Sequence, residues 1–317
     1  MINATAEDVR KHLPITKAIE LVQKAMVAVS EGKANLPLRT AMDIDGVNRL
    51  GIMPGVLEGI YGVKLISLFP GNPAKGLSSH IGAMVLFDAE TGAPTAMVDA
   101  DALTAIRTAA ASAVATDALA RVNAKTLAII GTGEQALSHI EAISTVRDIS
   151  EIRIAGRTAA RAQEFVKALP SGHKAIACTN AQEAVQDADI ICTVTSSSTP
   201  VLQANWVARG AHINAVGASV PSMQEIDQSV LLRSEVFIDY RPSALAQARE
   251  IIDAISEGKI DENHILAEIG EVLSGKVKGR REPKAITLYR SLGIAAQDLI
   301  CAGYVQKKIQ DNIKKML

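Results

Sequence analysis

The chain has 317 residues, of which 48% are hydrophobic and 21% are charged, so it can bury a sizeable core and is not a disordered sequence. Its 33 Lys and Arg residues nearly balance 34 Asp and Glu residues, for a formal net charge of -1, and aromatic residues make up only 3%. This composition excludes a globally basic surface for nucleic acid or anionic lipid, and an aromatic surface on which single strands could stack.

The cysteines and histidines predict neither disulfides nor a metal site. Cys178, Cys192 and Cys301 are an odd number of cysteines without CxxC spacing, and the six histidines show no metal-ligand spacing. The first residues lack the apolar core of a signal peptide, and no run approaches roughly 18 apolar residues. We therefore expect a cytoplasmic enzyme with no metal, no nucleic-acid partner and no membrane partner.

The first hundred residues mix helix and strand. Residues 5–8, Thr-Ala-Glu-Asp, predict a capping box, and apolar residues at helical spacing follow until Gly32. Apolar runs separated by turn residues then predict strands that pair as hairpins. These strands span residues 36–44, 49–53, 60–69, 81–87 and 95–99. The pattern indicates an α+β unit rich in antiparallel strands.

From Asp101 the pattern changes. An Ala-rich helix runs to about residue 121, with Asp101 as its expected cap. Short apolar strands then alternate with helices, which predicts a parallel sheet covered on both faces. The six predicted strands span residues 126–130, 151–155, 174–178, 189–194, 212–216 and 236–239.

The last segment, from Gly293, reads as one amphipathic helix that packs back on the first domain. The sequence therefore predicts an α/β protein with a Rossmann-type doubly wound parallel sheet at residues 119–293. A discontinuous α+β domain for substrate binding and dimerisation would comprise residues 1–118 and 294–317.

A glycine-rich loop follows the first strand of the predicted parallel sheet. It reads Gly131-Thr132-Gly133-Glu134-Gln135-Ala136, between the apolar run LAII and a helix-forming stretch. The first glycine permits a tight turn, and the second lets backbone N–H groups approach a pyrophosphate at the helix N-terminus. In this context the motif predicts a dinucleotide cofactor more strongly than a structural turn.

The residues after the second strand of this sheet bear on the choice of cofactor. Gly156-Arg157-Thr158 places a cation where an acidic residue would accept from the ribose 2′-hydroxyl of NAD. A guanidinium there can hold a 2′-phosphate. We therefore expect NADP(H) to be preferred, with NAD(H) possible because a solvent-facing Arg157 would tolerate either.

Three cations and one histidine lie in or beside apolar stretches. Lys64, inside GVKLISLF, is expected to be buried and able to transfer protons, or else to be an ion-paired structural residue. Arg107 shares a helical face with apolar residues and needs an anion, either a core Asp such as Asp99 or Asp101 or a substrate carboxylate. Arg39 could help to hold a small carboxylate ligand, and an ordinary surface strand explains it equally well. His80 could contact a ligand, but such a histidine is more often a hydrogen-bonded structural residue.

Several longer motifs resemble the ornithine cyclodeaminase/mu-crystallin family. They are GVKLISLFPGNPAKGLSSHIGAMVLFDAETGAP, DADALTAIRTAAASAVAT, GTGEQALSH, HINAVGAS and ITLYRSLGIAAQD. The resemblance covers nearly the whole chain and is specific for the family, but not for one activity within it. It implies a homodimer joined through the first domain and a nicotinamide-dependent reaction on an amino or imino acid.

The resemblance also implies roles for individual residues. Lys64 matches the active-site lysine near the substrate nitrogen, and Arg39 and Arg107 match the arginines that hold the substrate carboxylate. The remaining matches concern the cofactor. The pyrophosphate loop is matched by Thr132, Glu134 and Gln135, and the adenosine-phosphate contacts by Arg157 and Thr158. The nicotinamide side is matched by Thr195, Ser196, Val216 and Ser291, and a loop that reaches the cofactor by Ser79 and His80.

One departure separates the chain from the cyclodeaminases of the family. Those enzymes carry an Asp two residues after the glycine of NAVG, where this chain has Ser219, expected to face the substrate. A later Lys is also replaced, by Met223. Because Ser219 cannot act as a carboxylate base, the sequence favours a ketimine reductase acting on a small cyclic imine that carries a carboxylate. Ornithine cyclodeaminase, alanine dehydrogenase and an NADPH-dependent binding protein without turnover are the alternatives.

Overall fold

The structure is a computed structural model that describes residues 1–170 and 172–316, and in these residues the chain forms fifteen strands and eleven helices. The strands are β1 (Ile2–Ala4), β2 (Ala34–Asn35), β3 (Thr40–Asp43), β4 (Arg49–Leu57), β5 (Ile60–Leu68), β6 (His80–Phe87), β7 (Pro94–Asp99), β8 (Thr126–Ile130), β9 (Glu151–Ala155), β10 (Ala175–Ala177), β11 (Ile190–Thr193), β12 (His212–Ala215), β13 (Ser234–Ile238), β14 (Ile265–Glu268) and β15 (Ile286–Arg290). The helices are α1 (Ala6–His12), α2 (Ile15–Ser30), α3 (Ala100–Leu119), α4 (Glu134–Val146), α5 (Ala159–Ala168), α6 (Ala181–Val185), α7 (Gln228–Leu232), α8 (Arg241–Gln247), α9 (Arg249–Ser256), α10 (Ile269–Leu273) and α11 (Ala295–Met316).

The chain divides into two compact units. Unit 1 comprises Met1–Arg107 and Ile294–Leu317, and unit 2 comprises Thr108–Gly293. The first boundary lies inside α3, ahead of the boundary after residue 118 that the sequence suggested. Unit 1 is therefore built from two separate segments of the chain, and α11 is the element that returns to it.

Unit 1 contains a largely antiparallel sheet of seven strands in its described residues. The order is β1-β7-β6-β5-β4-β2, with β3 also paired to β4, and only β1 runs parallel to its neighbour β7. In β5, Gly62, Lys64 and Ile66 are buried while the residues between them are half-buried. The helices α2 and α11 pack on this sheet. The period of two in β5 thus places Lys64 on the buried face.

Unit 2 contains a parallel sheet of eight strands in the part of the chain that the structure describes, in the order β10-β9-β8-β11-β12-β15-β13-β14. Every residue of β11, β12 and β15 is buried, as expected for a sheet covered on both faces. From β8 the chain proceeds to β9 on one side and later to β11 on the other. The carboxyl end of β8 is therefore the switch point of a doubly wound sheet, where such folds bind ligands.

The predicted elements agree with the structure in most places. The strands expected at 126–130 and 151–155 are found residue for residue, and Thr5 and Asp8 form the predicted capping box of α1. The prediction of six parallel strands was wrong, because the sheet also contains β14 and β15. All five residues of β15 are buried, including the polar Thr287 and Arg290, so β15 lacks the continuous apolar run that is typical of a central parallel strand.

Two local predictions also need correction. The strand expected at 36–44 is interrupted, and only residues 34–35 and 40–43 are strand; Pro37 in the gap has no N–H for a ladder hydrogen bond. Arg39 therefore lies just before β3 rather than inside a strand. The cap of α3 is Asp99, whose Oδ1 accepts from the backbone N–H of Ala102 at 2.9 Å, and not Asp101.

Among the described residues, no helix has both the length and the apolarity needed to cross a membrane.

Candidate functional site

A buried lysine is the centre of the candidate site in unit 1. Lys64 is 1% exposed, and its Nζ donates to Thr104 Oγ1 at 2.6 Å and to Asp298 Oδ1 at 2.9 Å. These partners come from β5, α3 and α11, so the site forms only when the last helix packs on the first sheet. Asp298 is fully buried and also accepts from Arg107 Nε at 2.9 Å. One carboxylate oxygen thus serves two cations.

The electrostatics of this cluster favour proton transfer near neutral pH. Burial lowers the pKa of Lys64 to about 8; the charge of Asp298 opposes this shift, and the charges of Arg107 and Arg39 add to it. Burial acts to raise the pKa of the Asp298 carboxyl, but Arg107 and Lys64 outweigh it and hold that pKa below its usual value. The cluster therefore combines an ionised Asp298 with a lysine that titrates close to physiological pH.

Arg107 is fixed with one edge of its guanidinium directed away from its partners. Nε donates to Asp298, and Nη1 donates to Gln297 Oε1 at 3.1 Å. Gln297 and Asp298 are neighbours in the first turn of α11. Among the described residues, Nη2 makes no hydrogen bond, so the side of the guanidinium that carries Nη2, its outer edge, can donate to a carboxylate.

The other predicted residues of unit 1 lie around the same lysine at longer range. Arg39 is close enough for its charge to depress the pKa of Lys64. Desolvation and the charge of Lys64 together lower the pKa of His80. His80 Nδ1 is 2.9 Å from Ser79 Oγ at the start of β6. The structure thus brings Lys64 and Arg107 into one hydrogen-bonded cluster and places Arg39 and His80 within range of the Lys64 charge.

Unit 2 carries the glycine loop at the switch point of its sheet. Gly131 follows β8 with φ of +129°, and a Cβ there would lie 2.7 Å from the carbonyl oxygen of Val194, so no other residue fits. Gly133 is the N-cap of α4 and provides no side-chain cap, and a helix N-terminus of this kind attracts anions. Gln135 adds a buried Oε1 without a hydrogen-bond partner in the described residues. These features fit a dinucleotide pyrophosphate.

The end of β9 is positively charged. Gly156-Arg157-Thr158 connects β9 to α5, and Arg157 and Thr158 are both exposed. Thr158 caps α5 by accepting from the N–H of Arg161 at 3.3 Å. No carboxylate stands at this corner in the sequence. This corner therefore presents an exposed guanidinium, which can pair with an anion, and no acidic acceptor.

A buried glutamate that the sequence did not reveal organises two loops of unit 2. Glu225 is 2% exposed, and its carboxylate accepts from the hydroxyls of Thr193 and Thr195 and from the backbone N–H groups of Thr195, Gly217 and Ala218. A Cβ at Gly217 would lie 2.0 Å from the Thr195 carbonyl oxygen. Glu225 therefore fixes the loops that follow β11 and β12, which contain the predicted cofactor residues Thr195, Ser196 and Val216.

The predicted residue Ser291 is positioned by a second buried ion pair. Arg290 pairs with Glu250, and its guanidinium also donates to the carbonyls of Ala215, Ala218 and Ser291. Ser291 itself is buried, and its Oγ has no hydrogen-bond partner among the described residues. This hydroxyl at the carboxyl end of β15 is thus available to a ligand.

Ser219, predicted to contact substrate, lies half-buried in the loop after β12 in unit 2, whereas Lys64, Arg39 and Arg107 belong to unit 1. The residues that sequence reasoning missed are Asp298, Gln297, Thr104 and Glu225. Asp298 had one detectable feature, a lone carboxylate among apolar residues in GIAAQDLI. The predicted anion for Arg107 was Asp99, Asp101 or a substrate; its partner in the structure is Asp298.

No group of three or more His, Cys, Asp or Glu side chains that could hold a metal ion occurs in residues 1–170 and 172–316.

Comparison with known proteins places these features in a family. The chain matches the profile of the ornithine cyclodeaminase/mu-crystallin family over residues 1–313. It is 37% identical over 314 residues to a Δ1-pyrroline-2-carboxylate reductase of Bacillus cereus, and the aligned region covers 97% of this chain and 96% of the relative.

Two solved structures share the fold over nearly the whole chain. One is Thermococcus litoralis Δ1-pyrroline-2-carboxylate reductase in complex with NADH and L-proline, with a TM-score of 0.95, 34% identity and 98% of both chains covered. The other is an archaeal alanine dehydrogenase dimer with bound NAD, with a TM-score of 0.92, 34% identity, and 98% of this chain and 97% of that chain covered. On the strength of the full-length profile match and of relatives above 30% identity, the chain belongs to the ornithine cyclodeaminase/mu-crystallin family.

Proposed function

We propose that the protein is an NAD(P)H-dependent reductase of small cyclic imino acids. The substrates are Δ1-pyrroline-2-carboxylate and Δ1-piperideine-2-carboxylate, and the products are proline and pipecolate. The observation that carries this proposal is the buried cluster in which Lys64 and Arg107 share Asp298. The cluster occurs in a chain related over its full length to a reductase of this type and similar in fold to one in complex with NADH and L-proline.

In this proposal unit 1 supplies the substrate-binding groups. The outer edge of Arg107 takes the carboxylate of the imino acid, and Arg39 adds a second positive charge. Since that carboxylate is bonded directly to the imine carbon, fixing it also fixes the direction of the C=N bond. Lys64 then faces the nitrogen as the proton donor. Orientation of this kind lowers the activation barrier, because the entropy cost of aligning the reacting atoms is met when the substrate binds.

The chemistry balances with one proton from Lys64. When bound, the reduced nicotinamide supplies the hydride that the imine carbon accepts. Lys64 donates a proton to the imine nitrogen, the C=N double bond becomes a single bond, and the product is a cyclic secondary amine. Lys64 is left as a neutral amine and regains its proton from solvent. A lysine with a pKa of about 8 is suited to both steps near neutral pH.

Unit 2 supplies the dinucleotide-binding groups. The loop 131–135 holds the pyrophosphate, and Thr195, Ser196, Val216 and Ser291 line the nicotinamide side. We propose that NADPH is preferred, with Arg157 and Thr158 at the 2′-phosphate. NADH and NAD are the cofactors bound by the two similar structures, so NAD(H) is the competing cofactor, and equal affinity for NADPH and NADH would contradict this preference.

The absence of a carboxylate at Ser219 argues against a cyclodeaminase. Such an enzyme oxidises ornithine, expels ammonia and reduces the ring imine without net consumption of cofactor. The oxidative half has no general base at this position, and Met223 replaces the later lysine. Imine reduction needs only a bound carboxylate, a proton donor and a hydride.

We also propose a cytoplasmic homodimer joined through unit 1. Large apolar side chains on the strands and connecting loops of this unit are well exposed in the single chain, and contact with a second copy would remove them from water. They include Leu38 (41% exposed), Met42 (53%), Val47 (66%), Leu77 (53%) and Ile81 (45%). Sedimentation or light scattering of the purified protein measures the mass directly, and a monomer at micromolar concentration would overturn this part of the proposal.

Turnover with a panel of substrates tests the proposed function. The reduced cofactor is followed by absorbance while proline and ammonia are measured in the same tube. We expect stoichiometric consumption of NADPH with Δ1-pyrroline-2-carboxylate and little proline from ornithine with NAD. Ammonia release from ornithine without net cofactor change would establish a cyclodeaminase, and consumption of NADH with pyruvate and ammonia an alanine dehydrogenase. Tight NADPH binding without turnover on any of these substrates would establish a binding protein.

A further inference from the structure

We propose that Thr104 and Asp298 are positioning residues that confine the transferable proton of Lys64 to one direction. The inference rests on the proposed function and goes beyond it, because it gives a role to two residues for which the family resemblance implied none. Among the described residues, Lys64 Nζ makes two hydrogen bonds, to Thr104 at 2.6 Å and to Asp298 at 2.9 Å.

Thr104 can act only as an acceptor for Lys64. Its hydroxyl proton is committed to the carbonyl oxygen of Ala100 one turn earlier in α3. The hydroxyl oxygen therefore offers lone pairs to Nζ and has no proton of its own to direct there. Asp298 is likewise an acceptor when ionised. Two positions around Nζ thus always hold an N–H, whether the lysine is charged or neutral.

The third position around Nζ is then where protonation changes. An ammonium has three N–H groups in tetrahedral array, and a neutral amine has two N–H groups and a lone pair. Since the two fixed acceptors keep two protons in both states, the proton that comes and goes is the third. It leaves and returns along a single direction. Lys64 is therefore a proton donor when it is charged, as reduction requires, and a base when it is neutral, as the reverse reaction requires.

The surrounding charges shift the pKa of Lys64 and so determine how readily this proton is lost. Asp298 from α11 favours the charged lysine, and Arg107 from α3 together with Arg39 ahead of β3 disfavours it. His80 of β6 and Asp101 of α3 also lie within range of the Lys64 charge, and Cys301 of α11 lies within range of Asp298. Only Asp298 among these groups is hydrogen-bonded to Nζ. Asp298 therefore sets both the direction and the charge state, whereas Thr104 sets the direction.

The hydrogen-bonding pattern allows the two contributions to be separated. Asp298 Oδ1 accepts both of its bonds, while Oδ2 has no hydrogen-bond partner in the described residues. Asp298→Asn, with its oxygen in the place of Oδ1, can keep both hydrogen bonds and removes the charge. Thr104→Val keeps the shape of the side chain and removes the acceptor, and Thr104→Ser restores the acceptor.

Thr108→Val is the matched control. Thr108 lies one turn further along α3, is buried, and its hydroxyl makes no hydrogen bond within the described residues. The same change of residue type in the same helix thus removes a hydroxyl without touching Lys64. The assay is kcat and KM for Δ1-pyrroline-2-carboxylate at saturating NADPH between about pH 6 and 10, the range over which a lysine with a lowered pKa titrates.

We expect Thr104→Val to lose about 10- to 100-fold in kcat at every pH, because a misdirected proton donor forfeits most of its catalytic advantage. Thr104→Ser and Thr108→Val should stay close to the parent. Asp298→Asn should move the fall of kcat/KM at high pH by about one unit or more toward lower pH, since loss of a carboxylate favours the neutral lysine. Parent-like kcat in Thr104→Val, or an equal loss in Thr108→Val, would overturn the proposal.

A second measurement separates this inference from the proposed function. Lysines labelled with carbon-13 at Cε are titrated by NMR, and the Lys64→Met spectrum assigns the Lys64 signal. Asp298→Asn should lower the titration midpoint of Lys64, and an unchanged midpoint would overturn the role of Asp298 whether or not the imine is a substrate. If the parent does not oxidise NADPH with either imine, the proposed function fails, and the proton-delivery role of Thr104 and Asp298 fails with it.

Discussion

The carboxylate of Glu225 should determine both the stability of unit 2 and its affinity for the dinucleotide. Its Oε1 accepts from the N–H and hydroxyl of Thr195, and its Oε2 accepts from the Thr193 hydroxyl and the N–H groups of Gly217 and Ala218. The hydroxyls of Thr193 and Thr195 can rotate, so each can form a different hydrogen bond when Glu225 is replaced. The three backbone N–H groups cannot, so they set the energetic consequence of any substitution.

Glu225→Gln is the smallest informative change. With the amide oxygen at the Oε2 position, Gly217 and Ala218 keep their acceptor, but the amide nitrogen faces the N–H of Thr195. One buried N–H is then unsatisfied, at a cost of about 1–3 kcal/mol, and the remaining bonds lose the assistance of a charge. Because a neutral amide is easier to bury than a carboxylate, part of this loss in the free energy of unfolding is recovered. We expect a net loss of about 2–4 kcal/mol, which lowers Tm by about 5–15 °C for a unit of this size.

The control is Glu183→Gln. Glu183 accepts from the N–H and hydroxyl of Thr179 in the same manner as Glu225 does from Thr195, but it is exposed at the start of α6. Water can replace its bonds, so Glu183→Gln should unfold at nearly the same temperature as the parent. Thermal unfolding and fluorescence titration with NADPH measure the two effects, and Glu225→Gln should weaken NADPH binding at least tenfold. If Glu225→Gln melts with the parent and binds NADPH equally well, Glu225 does not organise these loops.

Three further outcomes are expected from the candidate site. Arg157→Asp should weaken NADPH binding about tenfold or more and leave NADH binding nearly unchanged in fluorescence titrations, since one charge-assisted contact contributes about 1.5–3 kcal/mol; equal affinity of the parent for both cofactors would contradict the role of Arg157. Arg107→Met should raise KM for the imine acid strongly while the unfolding transition stays in place, whereas an unfolded variant with unchanged activity per folded molecule would make Arg107 structural. Lys64→Met should lose about 10²- to 10⁴-fold in imine reduction. In the parent, kcat/KM for reduction should fall above about pH 8, where the ammonium of Lys64 loses its proton, and oxidation of proline should rise over the same range; a flat profile would exclude Lys64 as the proton donor.

Local sequence determined the elements whose formation needs only neighbouring residues. The apolar run before Gly131-Thr132-Gly133 gives a buried strand and a tight turn into α4, and the strand was found at the predicted residues. The capping box of α1 joins Thr5 and Asp8, three residues apart, and formed as predicted. Periodicity, turn residues and caps act over a few residues, so they can be read without knowing the fold.

Burial without periodicity was the part that local sequence could not reveal. All five residues of β15 are buried, and Arg290 without a partner would be unfavourable in a central strand. It is tolerated because Glu250, forty residues earlier in the chain, pairs with it inside unit 2. A strand of this kind is specified by its tertiary neighbours rather than by its own pattern.

The candidate site shows the same division. The sequence singled out Lys64 and Arg107 because each is a cation among apolar residues, which requires a nearby anion. It could not identify that anion, because Asp298 is 234 residues from Lys64 and 191 from Arg107 in the chain. Only the return of α11 to the sheet of unit 1 brings the three charges together. Which cation meets which anion is decided by packing at long range, and packing is what tertiary structure adds to the sequence.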